Sequence, residues 1–571
     1  MARFSVQPFD LSTFKRLSWP ALRLDWRGWL ERGRAFPWLS ALIAALVMAP
    51  LALLAAELLT PNLALWEQLW RTILPSMMVN TLMLVIGVGA GTILLGTGTA
   101  WLVSAYSFPL RSWFDKLLLL PLAIPTFVMG FVFMALFDYA GPVATWWRQT
   151  WGQDFPPIRS IGGAILVMSL VLYPYVYVLA RAAFREQSAS TVEAARTLGL
   201  ERGAAFWRLI LPLARPQIAA GGVLAMMEAL TDYGTVRFYS VPTLSEGIVR
   251  VWEVRADRAS AIELAGLLML FALGMMILER ALRGRARYYQ QGGGVRGQRL
   301  VPQPLYGWRA WAATGVCAAL LGLAFVLPAT QLVAWTIAEL SQQTVGGWQQ
   351  VYLQYVGNSM TLAGLAAGLV LVSALILMQG VRSSVGRARP WGRRLARLAN
   401  LGYAMPGAIV AVGVLLLLSP LDHAINDLAL SLGLRRPGLV LTGTLVGLSY
   451  AYVVRFMAVG YQSVESSFEK ITPSMEQAAR LLGAGRWRRL WRVQVPLLSA
   501  GLAAGAVLVF VDVMKELPAT LLLRPFGMDT LALWAYFLAA ESFWQAAALP
   551  SLTILVAGLL PVILLMRVGR T

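Results

Sequence analysis

Long apolar runs separated by short, arginine-rich polar segments set the pattern of this 571-residue chain. Twelve runs have the character of segments that cross a hydrocarbon core of about 30 Å. They cover residues 38–59, 79–106, 117–137, 161–183, 216–230, 262–278, 311–338, 360–378, 395–418, 439–460, 498–514 and 544–566. The pattern predicts an all-α polytopic membrane protein with about 12 transmembrane helices. An even number of crossings puts both termini on one side.

Two polar segments stand out because they are copies of each other 284 positions apart: SASTVEAARTLGLERGAAFWRLILP from Ser188 to Pro212, and TPSMEQAARLLGAGRWRRLWRVQVP from Thr472 to Pro496. Their polarity places them outside the bilayer. Ser190 with Glu193, and Ser474 with Gln477, have capping-box spacing, which starts a short helix near Thr191 and near Met475. Gly199 and Gly483 suit a left-handed helix stop, and a second amphipathic stretch then runs to Pro212 or Pro496, where proline excludes continuation. Ala194, Ala195, Ala478 and Ala479 leave a low-relief face for a partner. The copies are unequal: Gln477 stands where Glu193 does, and an extra acid, Glu476, lies one residue earlier. Gln keeps the reach-back hydrogen bond but loses the charge that favours a helix N-terminus, roughly 0.3 to 1 kcal/mol.

The duplication extends further. Asn80-Thr81-Leu82 is matched by Asn358-Ser359-Met360-Thr361-Leu362, and Pro125 by Pro406; the 284-residue offset also pairs Glu228 with Asp512 and Asp232 with Glu516. The expected organisation is an N-terminal cytoplasmic arm (1–37), a first six-helix module (38–278), a flexible basic linker (279–307) containing Gly292-Gly293-Gly294, and a second module (308–571).

A hydrophobic share of 58%, only 13% charged residues and a mean hydropathy of +0.64 exclude a soluble globular class. The net charge of +20 is spread as arginines flanking the apolar runs. Placing both repeated loops in the cytoplasm puts most Lys and Arg there, as the positive-inside bias requires, with both termini cytoplasmic. Such flanking charge anchors against membrane lipid and is not a nucleic-acid surface. The basic arm has no apolar core with a cleavage site behind it, so it reads as retained. A single cysteine, Cys317, and a single histidine, His423, exclude a disulfide framework and a Cys/His metal cluster within the chain. The four lysines, Lys15, Lys116, Lys470 and Lys515, lie in no phosphate-cradling loop, so any ATP hydrolysis belongs to a partner.

The repeated segments resemble the EAA loops of ATP-binding-cassette importer permeases, and the two-module layout resembles fused permeases of bacterial inner membranes. KELPATLLLRPFGMDTLAL (Lys515 to Leu533) and EALTDYGTVRFYSVPTL (Glu228 to Leu244) are similar to segments of ferric iron importers. Permeases for thiamine, sulfate, polyamines or phosphonates are similar too. The resemblance implies a non-catalytic subunit with two ATPase partners that carry ATP and Mg, and a periplasmic or extracytoplasmic binding protein that delivers substrate. It implies ATPase coupling through Glu193, Ala194, Ala195, Gly199 and Pro212, and through Gln477, Ala478, Ala479, Gly483 and Pro496. Glu228, Asp232, Asp512 and Glu516, ionisable groups at membrane depth, are candidates for a cation pathway. For a hard ferric cation the chain offers carboxylates and the tyrosines Tyr173, Tyr175, Tyr177, Tyr450 and Tyr452, with no metal-ligand set defined. Asp512 and Lys515 also have the spacing of an ordinary i,i+3 pair. A secondary transporter, which needs no repeated loops, is the alternative of another class.

Overall fold

In hydrocarbon, every backbone N–H and C=O must find its partner inside the segment that carries it, and a helix achieves this turn by turn. The computed structural model describes residues 35–186, 202–255, 257–283, 302–342, 348–383, 391–400, 402 and 405–568. The principal helices of the first module are α1 (Ala35–Glu57), α2 (Leu74–Ala105), α3 (Thr126–Phe137), α4 (Ile161–Glu186), α5 (Leu211–Thr231), α6 (Gly234–Phe238), α7 (Leu244–Arg255) and α8 (Arg258–Arg283). Those of the second begin with α9 (Trp308–Leu321) and α10 (Leu327–Gln342), which are joined by one wide turn, followed by α11 (Trp348–Ser383), α12 (Gly407–Ser431) and α13 (Leu445–Phe468). They continue with α14 (Pro473–Leu481), α15 (Val495–Met514), α16 (Pro518–Leu523), α17 (Leu531–Ala540) and α18 (Trp544–Val568).

Among the described residues, 11 helices are long and apolar enough to cross a bilayer. The expected run 439–460 is the one outside that set. It forms α13, 24 residues long, which carries Arg455 and Glu465. Even so, α13 packs against α11 and α15 as α4 packs against α2 and α5, so it holds the place of a span in the second module. Prolines moved two other boundaries. Pro125 and Pro406 sit in extended conformation at the N-caps of α3 and α12, because the ring disfavours helix in the residue before it. The run expected at 395–418 is therefore split: Trp391–Ala399 is a separate short helix, and α12 runs from Gly407 to Ser431, so His423 lies on a helix and not in a loop. Asp422 ties down the segment beyond α12, accepting from the amides of Val440 (3.0 Å), Leu441 (2.8 Å) and Thr442 (2.8 Å).

The duplication is visible atom by atom. Asn80 Nδ2 donates to Pro242 O (3.1 Å) and Thr81 Oγ1 accepts from Leu244 N (3.0 Å) at the start of α7. In the other half Asn358 Nδ2 donates to Asp529 O (3.0 Å) and Ser359 Oγ accepts from Leu531 N (2.8 Å) at the start of α17. A repeated Asn followed by a hydroxyl residue thus pins the same connection twice, satisfying backbone groups that hydrocarbon would leave bare.

The first span of each module reaches across to the other one. α1 packs on α11, α12 and α13, and α10 packs on α3 as well as on α18. Close approach needs small residues: a Cβ on Gly413 of α12 would stand 2.7 Å from Pro50 O of α1. Ser40 Oγ donates to Ile376 O (2.9 Å) and Tyr450 OH to Leu46 O (2.5 Å), which adds polar fastening to an apolar contact. The linker is pinned as well, since Gln303–Pro304 pairs in parallel with Tyr106–Ser107 at the end of α2.

This arrangement sets a topology that labelling can check. With Cys317 replaced by Ala, a cysteine at His423 is expected to react with a membrane-impermeant thiol reagent in intact cells. A cysteine at Ala484, beyond α14, is expected to react only after the membrane is opened. The reverse pattern would invert the fold in the bilayer.

Candidate functional site

The second repeated polar segment is described along its whole length. The first is described only from Arg202 onward, so Glu193, Ala194, Ala195 and Gly199 lie outside the described residues. In the second, α14 is a nine-residue helix that starts two residues earlier than its capping-box spacing predicts. Thr472 is the N-cap, with Pro473 in the first turn, and the Thr472 hydroxyl bonds to Ser474 Oγ (2.8 Å) instead of to a backbone amide. Proline, with its fixed φ and no N–H to satisfy, suits the first helical position and displaces the expected box. Gln477 and Ala478 are exposed as a result, and Ala479 is half-buried.

The helix stop matches the expectation. Gly483 has φ +76°, its amide bonds to Arg480 O (2.9 Å), and Ala484 N reaches back to Ala479 O (3.0 Å), which together form a Schellman motif. Beside this stop Leu481 and Leu482 stand 89% and 86% exposed, with Met475 at 47%. A short helix outside the spans that displays three large apolar side chains has the makings of a docking surface.

Pro212 and Pro496 do not end a helix, contrary to the sequence expectation. Each lies in the first turn of α5 or α15, directly after a five-residue π turn, Phe206–Ile210 or Leu490–Gln494. Leu211 N bonds to Phe206 O and Val495 N to Leu490 O, five residues back. The widened turn accommodates a ring that would otherwise collide with the carbonyl four residues earlier. The polar segments are therefore continuous with the spans that follow them.

Those spans lead to a cavity of about 170 Å³ between the modules. Glu228, Asp232, Asp512 and Glu516, all singled out by the 284-residue offset, line it together with Thr126, Tyr175, Arg455 and Lys515. The four acids have different jobs. Asp232 accepts from Thr235 N (2.9 Å), Thr235 Oγ1 (3.0 Å) and Val236 N (3.3 Å), and from the Thr126 hydroxyl, so it caps α6. Glu516 accepts from Ala519 N (3.1 Å) in the first turn of α16 and pairs with Arg455 Nε (3.0 Å). Asp512 holds Lys515 Nζ at 2.9 Å, the i,i+3 pair its spacing allows. The Glu228 carboxylate lines the cavity with no hydrogen bond or ion pair among the described residues.

Arg455 and Thr126 are not among the candidates the sequence names. Arg455 lies 284 residues after Val171, which lines the same cavity, so the offset alone would have flagged an arginine in place of valine. The two modules treat their capping acid differently. After Pro125 comes Thr126, whose hydroxyl meets Asp232; after Pro406 comes Gly407, where a Cβ would collide with Arg455 Nη1 and Glu516 Oε1. Glycine makes room for the guanidinium.

Of the five tyrosines singled out in the sequence, Tyr175 lines the cavity; Tyr233, outside that set, lines it too. Tyr173 and Tyr177 are buried and donate to Leu118 O (2.9 Å) and Asp115 O (3.1 Å), and Tyr452 shares a hydrogen bond with Thr520 (2.7 Å). Together with Tyr450 of α13, which donates to Leu46 O of α1, these are packing residues. Among the described residues no three His, Cys, Asp or Glu side chains converge as a metal cage, so the acids form a lining.

A family model of binding-protein-dependent transport system inner membrane components matches the chain twice, over residues 92–288 and 373–570. The chain is 26% identical to the Fe(3+)-transport system permease protein FbpB 2 of Haemophilus influenzae, over 88% of its own length and 91% of that protein's. It is 28% identical to the sulfate transport system permease protein CysT of Escherichia coli over 41% of this chain and 88% of that one. With the molybdenum transport system permease protein ModB of Escherichia coli it shares 30% identity over 30% of this chain and 72% of that one.

The cavity geometry predicts that Gly407→Ala forces Arg455 and Glu516 apart. Overpacking of this kind costs about 1–3 kcal/mol. The expected outcome is a lower melting temperature of the purified protein, whereas Gly98→Ala, where nothing stands near the new methyl, should change it little.

Proposed function

The chain belongs to the family of binding-protein-dependent transport system inner membrane components, and from that premise we propose that it is a two-module permease of an ATP-driven importer whose substrate is ferric iron. The observation that carries the ATP-driven reading is α14: a short helix outside the spans, closed by the Gly483 stop and displaying Met475, Leu481 and Leu482, with the helical stretch after that stop, from Arg486, running through a π turn into the span that ends at the cavity. In this reading two ATPase subunits seat the repeated polar segments, and their closure on ATP moves the modules about the cavity. A ligand shifts such an equilibrium only through contacts that differ between the two states, and a stiff lever is what makes them differ. An extracytoplasmic binding protein delivers the substrate to the outer mouth.

The cavity lining supports a cationic substrate. Four acids against two bases leave an excess of negative charge, and oxygen donors are what a hard cation prefers. Glu228 is the acid placed to meet it, because Asp232, Asp512 and Glu516 are already engaged. The likeness to a ferric relative along most of both chains points the same way. Arg455 and Lys515 favour a second reading, an oxyanion, in keeping with the printed names of the sulfate and molybdenum relatives. Both bases are bound to acids of their own module, which weakens that reading.

Glu228→Gln, nearly isosteric, is expected to lower ferric uptake per folded transporter several-fold while leaving yield and ATPase association intact. Asp232→Asn, which disturbs the cap on α6, should instead lower folded yield. Unchanged ferric uptake in Glu228→Gln, or uptake of sulfate or molybdate by the wild type, would turn the assignment toward the oxyanion. Coupling is tested by Gly483→Val. No atom lies near the new side chain, but a left-handed backbone costs a branched residue about 1–2 kcal/mol. ATPase binding and transport should fall together. Transport by the purified chain without any ATPase would favour a secondary transporter.

A further inference from the structure

At the base of α14 the two modules differ in a way that the duplication hides. Glu476, the extra acid beside Gln477, points inward: its Oε1 pairs with Arg382 Nη1 of α11 and accepts from Gln494 Nε2 (2.9 Å) in the π turn before α15. Arg382 Nη2 also donates to Phe468 O (3.1 Å) and Ile471 O (3.2 Å), the carbonyls that end α13, and its guanidinium lies 4.7 Å over the Phe468 ring. Gln379 Nε2 donates to Gln494 Oε1 (2.5 Å). One polar cluster therefore joins α14 to three spans, α11, α13 and α15.

Among the described residues, the first module shows a different joint at the positions that match Arg382, Gln379 and Gln494. The offset of 278 set by Asn80 and Asn358 puts Ser104 opposite Arg382 and Trp101 opposite Gln379; the offset of 284 puts Ile210 opposite Gln494 and Phe206 opposite Leu490. Trp101 packs against Phe206 (4.6 Å) and Phe184 (5.4 Å), and the Ser104 hydroxyl is buried without a hydrogen-bond partner. An apolar joint occupies the place of the polar one.

Resting on the ATP-driven reading above, we propose that Glu476, Arg382 and Gln494 are the positioning residues of a clamp that carries the ATPase stroke from the second coupling helix into α11 and α15, and that this clamp stays closed through the cycle. The physical argument is directional. Apolar contacts at a joint slide at little cost, whereas charge-assisted hydrogen bonds hold a set geometry. A half-buried ion pair that loses one partner strands the other, so the clamp resists opening under load. The acid next to the Gln477 position thus acts within the chain, not on the partner, and the second loop trades a charge on its docking face for a stiff attachment to the spans.

The test uses the full chain with its ATPase subunits and binding protein in liposomes, measuring substrate transported per ATP hydrolysed. Glu476→Gln and Gln494→Leu should keep folded yield and ATPase binding and continue to hydrolyse ATP, with transport per ATP down about fivefold or more, the lower range of a typical coupling energy. Glu476→Asp, which keeps the charge, should recover part of the loss. Arg382→Met removes two carbonyl partners as well; if it fails to fold, the other two variants decide. A wild-type transport-to-ATP ratio in Glu476→Gln would overturn the proposal. So would a loss of folded yield with an unchanged ratio in the protein that remains, which would make the cluster a structural staple. ATP-independent transport by the wild type would overturn the ATP-driven reading and the clamp with it.

Discussion

Compensation of charge at the seam between the modules is the constraint on which the rest of this structure depends. Asp232 and Glu516 sit where α5 and α15 end, and each is neutralised by donors supplied within its own module: amides and hydroxyls around Asp232, a guanidinium and an amide around Glu516. Were either left bare, the cost of an unpaired buried charge would exceed what packing returns locally. The short helices α6 and α16 are placed by these caps, and with them the walls of the cavity. Gly407 and Thr126 are two answers to one steric question, a missing Cβ where an arginine must fit and a hydroxyl where none is present.

Exchange of the first helices turns two modules into one body. α1 rests on the second module, and α10, which packs mainly on α18, also reaches α3 of the first, so each module's first span ties it to its neighbour. The π turns before α5 and α15 keep the last part of each polar segment continuous with the span that follows it.

The asymmetry between halves matters as much as the symmetry. A single chain carrying both modules frees each to drift at positions that a homodimer would have to keep identical. The cavity shows the result, with Arg455 and Lys515 in one half and Val171 and Thr231 in the other. Among the described residues, the bases of the repeated polar segments show it again, with Trp101 on Phe206 in the first module and Arg382 on Glu476 in the second.

Much of this was legible in the chain itself. Apolar runs determined the helical membrane class, since hydrocarbon permits few other backbone solutions; the repeated polar segment and its offset determined the two modules and brought all four cavity acids to notice; and Gly483 announced a left-handed stop, because local backbone chemistry needs no distant partner. What the sequence left open depends on contacts between residues hundreds of positions apart. Asp232 and Glu516 read as pathway acids, and the structure shows that each also caps a short helix beside the cavity; Glu228 stands out only once the partners of the other three are known. Glu476 reads as a surface charge until Arg382 arrives from another helix. Pro212 and Pro496 read as stops, yet a widened turn lets the helix pass through them. Even the exchange of α1 and α10 is silent in the sequence, because an apolar helix face carries no record of which apolar face it will meet.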